Sequence, residues 1–413
     1  MLATLALLVQ MTSLIKVWAF HTTLNVFIFY ALVFGLIIEI VKYNKYFNRT
    51  LGDIITPVTI FLGFILIYAL WCIKTNSYEP LNVHYYLKPW ITACFTPAIV
   101  LAFSLQTRKK VRNALIAVVI AGVINFFFQM NFYREYAGVP LDQIRFGAEI
   151  GGYSQMGQSG TLGLALIVFL WFVLQRNFKG GIVASSILIS MFIGGIIFSG
   201  TRSSVFATFL GLVYILRKNS LSGRMHIRNW IIISIIILVS IFAIQNSIFK
   251  ERLKVSYIEE HEGRFSLYSR IVFHDFPNNF LFGVGPFQWG VLHTSQINGK
   301  RQYSRDNAEN VILQVLAETG FFGFILFIWV IFCIWKSVSM SQKKGLKELS
   351  SFPKYSELIK AMLFFTLLRM QFYGHMIAWG ELLMVLTTGY AIGKVEKTSM
   401  KEDLRINESK NEI

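Results

Sequence analysis

"GIVASSILISMFIGGIIFSGTRSSVFATFLGLVYILRK", Gly181 to Lys218, holds two apolar runs separated by Gly200, Thr201 and Arg202. The first run, 181–199, has the length of a helix that crosses a bilayer, and the second, 203–216, is shorter. Two spans are therefore expected to meet at this junction. An arginine sits in it, flanked by Ser199, Gly200, Thr201, Ser203 and Ser204. Small residues let helices approach closely, and hydroxyls beside a guanidinium suit phosphate oxygens. An arginine at a span end can also simply snorkel to the interface.

The same pattern extends outward along the chain. Of 413 residues 54% are hydrophobic and only 15% charged, against about 25% charged in a soluble domain. Mean hydropathy is +0.54. Apolar runs predict about twelve spans, near 2–18, 24–41, 54–74, 89–106, 114–130, 159–176, 181–199, 203–216, 229–248, 311–335, 357–373 and 376–393. The first run lacks a basic start and a small-residue cleavage site, so it reads as a span rather than a removed signal. The predicted fold is all-α and polytopic, with residues 1–413 as a single integral membrane domain. No internal repeat stands out.

A net charge of +17 would suit nucleic acid, but its placement argues otherwise. With the N-terminus inside, the inner segments 42–50, 107–113, 175–181, 217–228, 336–356 and 394–413 hold 23 Lys and Arg. The short outer segments 19–23, 75–88, 131–158, 200–202 and 374–375 hold 4. This asymmetry predicts both termini, including the tail 394–413, in the cytoplasm. Anionic lipid headgroups are then the partner of most of the charge, and no nucleic acid is implied. Cys72, Cys94 and Cys333 fall in or beside apolar runs with no disulfide or metal spacing, and read as packing residues.

One long outer loop, 249–308, breaks the charge rule with eight basic residues. Long loops translocate regardless of charge, so the topology stands. In "EGRFSLYSRIVFHDFPNNFLFGVGPFQWG" Arg264 and Arg270 precede a turn punctuated by Gly283 and Gly285. Paired arginines can clamp a pyrophosphate bidentately. The G-V-G follows no strand-and-helix pattern and is rejected as a nucleotide fingerprint. In "RDNAENVILQVLAETGFFGFILF" the residues Asp306, Asn310, Gln314 and Glu318 recur every fourth position, a polar stripe expected to wall an aqueous cavity. Gly320 and Gly323 are expected to interrupt that helix. Glu309, at its start, is the best-placed carboxylate to accept a proton, with Asp306 second and His293 or His274 next. Compensation of the helix dipole is the bland reading of Glu309. Arg369, in "LLRMQFYGH", lies near the outer end of its span, where it either serves an anion or snorkels. "EEHEGR" has no partnered ligand set and no D-x-D occurs anywhere, so no metal site and no cofactor are predicted.

Taken together, "SGTR" at a span junction, a long outer loop with "PNNFLFGVGPFQW", and "AENVILQVLAETGFFG" opening a helix resemble the O-antigen ligase and polymerase superfamily. The resemblance covers about residues 150–335 by motif and the whole chain by topology. It implies an integral glycosyltransferase of the GT-C type in the bacterial cytoplasmic (inner) membrane, acting at the outer face on undecaprenyl-pyrophosphate-linked oligosaccharides. It also implies a flippase and a chain-length regulator as partners. Arg202 matches the family's S-x-S-R arginine, and Arg264 or Arg270 the basic position of the long loop. With Arg369 these form the expected pyrophosphate-binding set. Arg134 and Arg145, on the second outer loop, resemble the polymerase layout, and with Asn310, Gln314 and His293 are the expected glycan-binding residues. The usual "HN-x-Y-L" reads "EN-V-I-L" here, so Glu309 replaces the histidine that ligases use.

That departure favours a polymerase of O-antigen, capsule or exopolysaccharide repeat units over a ligase that transfers the glycan to a lipid-core acceptor of lipopolysaccharide. A transporter or flippase is the reading of another class. It should show repeat symmetry and polar groups near the midplane, whereas here they gather at the outer face.

Overall fold

Helix α1 (Pro57–Lys74) begins where the sequence supplies two start signals. Thr56 and Thr59 cap each other's backbone amides, at 3.1 and 2.8 Å, and Pro57 fills the first helical position, where no amide partner is needed. In this computed structural model the described residues are 56–75, 96–105, 107–135, 155–175, 181–199, 201–221, 234, 268–286, 295–297, 300–302, 310–343, 355–371 and 382–395. They form α2 (Thr96–Ser104), α3 (Arg108–Glu135), α4 (Gln155–Leu174), α5 (Gly181–Phe198), α6 (Arg202–Leu221), α7 (Val311–Lys343), α8 (Tyr355–Met370) and α9 (Leu382–Val395). A two-stranded hairpin, β1 (Ser295–Ile297) with β2 (Lys300–Gln302), is antiparallel, with Ser295 opposite Gln302. Apart from this hairpin in the long loop, the described fold is helical, as the apolar runs predict.

Four of these helices are long and apolar enough to cross a membrane: Pro57–Lys74, Arg108–Met130, Gly181–Phe198 and Val311–Ser339. Ser159–Leu174, Ser203–Arg217 and Leu382–Val395 are shorter apolar helices. The expected spans at 2–18 and 24–41 lie outside the described residues, as does 229–248 except for residue 234. Helix α3 starts six residues before the expected 114, because the run Arg108-Lys109-Lys110-Val111-Arg112 consists mostly of good helix formers and joins the helix.

The core forms around α4. Residues 159–173 of this helix are all buried, which its apolar character on every side requires. Helices α3, α5, α6 and α8 surround it, and α7 packs on α8 and α1. Large apolar side chains also point outward: Ile67 and Trp71 on α1, Phe206 and Phe209 on α6, Phe332 and Trp335 on α7. A water-soluble surface does not carry such patches, so lipid is their solvent. At one end, Tyr214 on α6 donates to Glu357 on α8 at 2.7 Å, and Lys360 lies over the ring of Trp335, 5.6 Å from its centre. Arg369, Ser204, Ser159, Asn310 and Gln371 collect at the other end.

Candidate active site

Arg369, in the last turn of α8, is 1% exposed, which rules out snorkelling. Its Nε donates to Ser204 Oγ on α6 at 3.1 Å, and that hydroxyl is 2.7 Å from Ser159 Oγ on α4. Gly160 lies directly under the guanidinium, where any Cβ would collide with it. Three helix ends thus converge on one buried cation: the N-termini of α4 and α6 and the C-terminus of α8. Burial of an arginine is costly unless its charge and donors are met, so this placement is built rather than incidental.

Arg202 is the first residue of α6, two positions before Ser204, so its backbone belongs to the same end. Of the small hydroxyl residues around it, Ser199 Oγ donates to Ile196 O at 2.6 Å and accepts from Thr201 N at 3.2 Å. The Ser199 hydroxyl therefore closes the end of α5, whereas Ser204 serves Arg369.

Gln371, two residues past Arg369, joins the long loop to the same place. Its carbonyl accepts from Tyr268 OH at 3.4 Å, and its Oε1 accepts from Asn310 Nδ2 at 3.3 Å. Asn310 is not part of the helical stripe that its spacing suggests. It caps α7, with Oδ1 accepting from Leu313 N at 3.1 Å. Glu309 is its chain neighbour, and Arg270 lies two residues beyond Tyr268 with its side chain exposed. Gln314 and Glu318, the inner members of the stripe, are buried, and Gln314 Nε2 donates to Glu318 Oε1 at 3.1 Å. They face the protein interior rather than lipid, and Gln314 Oε1 has no hydrogen-bond partner among the described residues.

The expected helix break occurs at Gly320 alone, while Gly323 stays helical. Gly320 adopts φ 61°, and the interrupted ladder is repaired from the long loop. Val284 N donates to Ala317 O at 3.0 Å and Gly285 N to Glu318 O at 2.9 Å. In return Phe321 N donates to Phe280 O at 2.8 Å and Phe322 N to Leu281 O at 3.3 Å. Gly283, φ 72°, meets Gly320 backbone against backbone, leaving no room for a Cβ on either. The G-V-G turn is thus a clasp on α7, which positions the preceding turn, Ile271–Asp275, carrying His274 with Nδ1 3.0 Å from Asp275 Oδ1.

Residues 187–328 match the O-antigen ligase family. Over that stretch the chain is similar to the O-antigen ligase family. This supports the superfamily membership read from the motifs, within which ligase and polymerase are not separated. The match runs from α5 through the clasp to the first half of α7 and includes Arg202, Arg270 and Glu309. Arg369, Ser159 and Gly160 lie outside the match. No curated protein matches the chain.

Among the residues expected from sequence, the structure brings Arg369, Asn310 and the backbone of Arg202 to one end of the bundle. Arg134 lies in the last turn of α3, whose side chains there are outside the description. Glu309, Asp306, Arg264, Arg145 and His293 lie outside the described residues. Sequence reasoning missed Ser159, Gly160, Tyr268 and Gln371. Only the last carried a signal, as a glutamine two residues after an intramembrane arginine.

Proposed function

We propose that this protein is a polysaccharide polymerase that joins undecaprenyl-pyrophosphate-linked repeat units at the outer face of the bacterial cytoplasmic membrane. The observation that carries the reading is the buried guanidinium of Arg369 at an end where α6 starts with Arg202. Two arginines in the chain segments that meet at the N-termini of α4 and α6 favour a polyanion, because helix N-termini carry positive dipole. In the proposed step the acceptor hydroxyl oxygen bonds to the anomeric carbon of the donor glycan. The bond from that carbon to the pyrophosphate oxygen breaks, and the lipid pyrophosphate leaves with the electron pair.

Arg202, Arg369 and Arg270 or Arg264 neutralise the leaving group as its charge grows, a term that a preorganised dry site makes large. Glu309 takes the acceptor proton, with Asp306 second. Arginines in this role make a metal unnecessary, and inversion at the anomeric centre follows from the family resemblance. The twelve-span topology, cytoplasmic termini, and the glycan-binding roles of Arg134, Arg145, Asn310, Gln314 and His293 belong to the same proposal. So do a flippase and a chain-length regulator as partners. A transport role gains no support.

Transfer to a separate lipid-core acceptor is the second reading, and the family match is compatible with both. Glu309 in place of the ligase histidine argues for polymerisation. Deleting the gene and resolving surface glycan on a gel separates the two. A single repeat unit on the acceptor marks a polymerase, whereas polymer left on its lipid carrier marks a ligase.

A further inference from the structure

The segment Phe276–Pro286 belongs to a loop whose eight basic residues would place it in water, yet it carries no charge itself. Its apolar side chains are turned outward: Phe280 is 46% exposed and Phe282 53%. Those rings do not stand alone. Phe280 stacks on Phe321 at 5.2 Å and Phe282 on Phe322 at 5.4 Å. Phe321 and Phe322 in turn begin the outward stripe of α7 that continues through Ile325, Ile328, Trp329 and Phe332. This stripe lies on a helix long and apolar enough to span the membrane. The exposed face of the loop and the lipid face of the helix are one surface.

The depth of contact agrees. Phe282 packs on Tyr68 of α1 at 6.2 Å, and Tyr68 OH donates to Gly283 O at 3.3 Å. Tyr68 precedes Lys74, the last residue of that spanning helix, by six positions, so the loop touches it roughly 9 Å inside its end. Irregular backbone at such depth is tolerated where its polar groups are satisfied by protein. The clasp does this with the four bonds to α7, with Gly283 N donating to Asn279 O at 2.8 Å, and with prolines at 277 and 286 that have no amide to satisfy.

We infer that the tip of the long loop, Phe280–Val284, is a re-entrant element seated on the seam of α1 and α7, with Phe280, Leu281 and Phe282 immersed in the acyl chains of the bilayer. Its occupant is lipid, not water and not a second protein.

The test uses full-length protein lacking Cys72, Cys94 and Cys333, with single cysteines carrying an environment-sensitive fluorophore, in nanodiscs of phosphatidylethanolamine and phosphatidylglycerol. Phe280→Cys and Phe282→Cys should be quenched by acyl-chain nitroxide lipids about as strongly as Phe332→Cys, the reference on the spanning face. They should lose the iodide quenching expected of Lys109→Cys, an exposed position beyond the apolar run of α3. Leu281→Cys lies outside the ring stacks and keeps the test readable if either phenylalanine variant does not fold. Iodide quenching equal to that at 109 would mean an aqueous loop and would overturn the inference. Protection from both quenchers would overturn it equally, by showing a protein surface over these rings. Neither outcome depends on glycan transfer.

Discussion

Arg369 makes the sharpest residue-scale claim, because a buried guanidinium can either hold the fold together or hold a substrate. Lysine keeps the charge but loses the planar fork and the Nε donor that reaches Ser204. Hydrogen bonds to charged groups are worth about 1.5–3 kcal/mol, so Arg369→Lys is expected to lower polymer elongation about 10–100-fold. If elongation by a stably expressed Arg369→Lys protein is unchanged, the arginine is structural. Gly160→Ala should lower elongation without touching any charge, because the new methyl displaces the guanidinium. The carboxylate is tested in parallel. Glu309→Gln keeps size and hydrogen bonding but cannot accept a proton, and a general base contributes typically 10²–10⁴-fold. Loss of turnover from a protein with normal Tm marks the base, whereas a dead Asp306→Asn beside an active Glu309→Gln moves the role to Asp306. As positions to test, Arg202 and Arg369 were visible in the sequence, because a charge in or beside an apolar run is an anomaly that asks for a reason. The contacts around Arg369 were not. Arg369 and Ser204 stand 165 positions apart, Tyr268 and Gln371 103, and no periodicity connects residues at such separation.

At the scale of elements, the clasp between the G-V-G turn and the break in α7 sets where the long loop sits. The break itself was legible, since "ETGFFG" offers glycine at the point where a polar stripe gives way to an apolar span. The repair was not legible, because backbone hydrogen bonds leave no mark in side-chain pattern. Both glycines have positive φ, 72° at Gly283 and 61° at Gly320, in regions that cost a side-chain-bearing residue roughly 1–3 kcal/mol, before counting the overlap with the opposing backbone. Gly283→Ala and Gly320→Ala should therefore each lower Tm in detergent by several degrees. Each added methyl would meet the other glycine's chain, so the first substitution already opens the contact that the second would strain. The double variant should then lose less than the sum of the two. Strict additivity would mean that the clasp is not a single unit. Helix boundaries differed from expectation where polar residues are good helix formers, as with Arg108–Arg112 at the start of α3.

Across the whole molecule, the two ends of the bundle are chemically opposite, and this gives the topology a physical test. At one end stand Arg369, Ser204, Ser159, Gln371 and Asn310. The other end carries the start of α3 with Arg108, Lys109, Lys110 and Arg112, the far end of α6 with Arg217, and the far end of α7 with Lys336. The loops that join helices at the Arg369 end are those with few basic residues when short, and those at the opposite end hold most of the Lys and Arg. Membrane insertion retains such basic short loops in the cytoplasm, so the proposed topology has the Arg369 end outward. A membrane-impermeant thiol reagent reads this directly. Gly285 is buried in the clasp and unsuitable as a reporter, so the outer reporter belongs on the hairpin that follows, as Arg301→Cys. In a background without native cysteines, intact cells should label Arg301→Cys and spare Ser220→Cys and Gly345→Cys, which should react only after permeabilisation. The long loop tolerates this orientation despite its own cations, because only short loops obey the charge rule. If Ser220→Cys labels from outside and Arg301→Cys does not, the arginine end faces the cytoplasm, and extracytoplasmic glycan transfer at that end is no longer tenable.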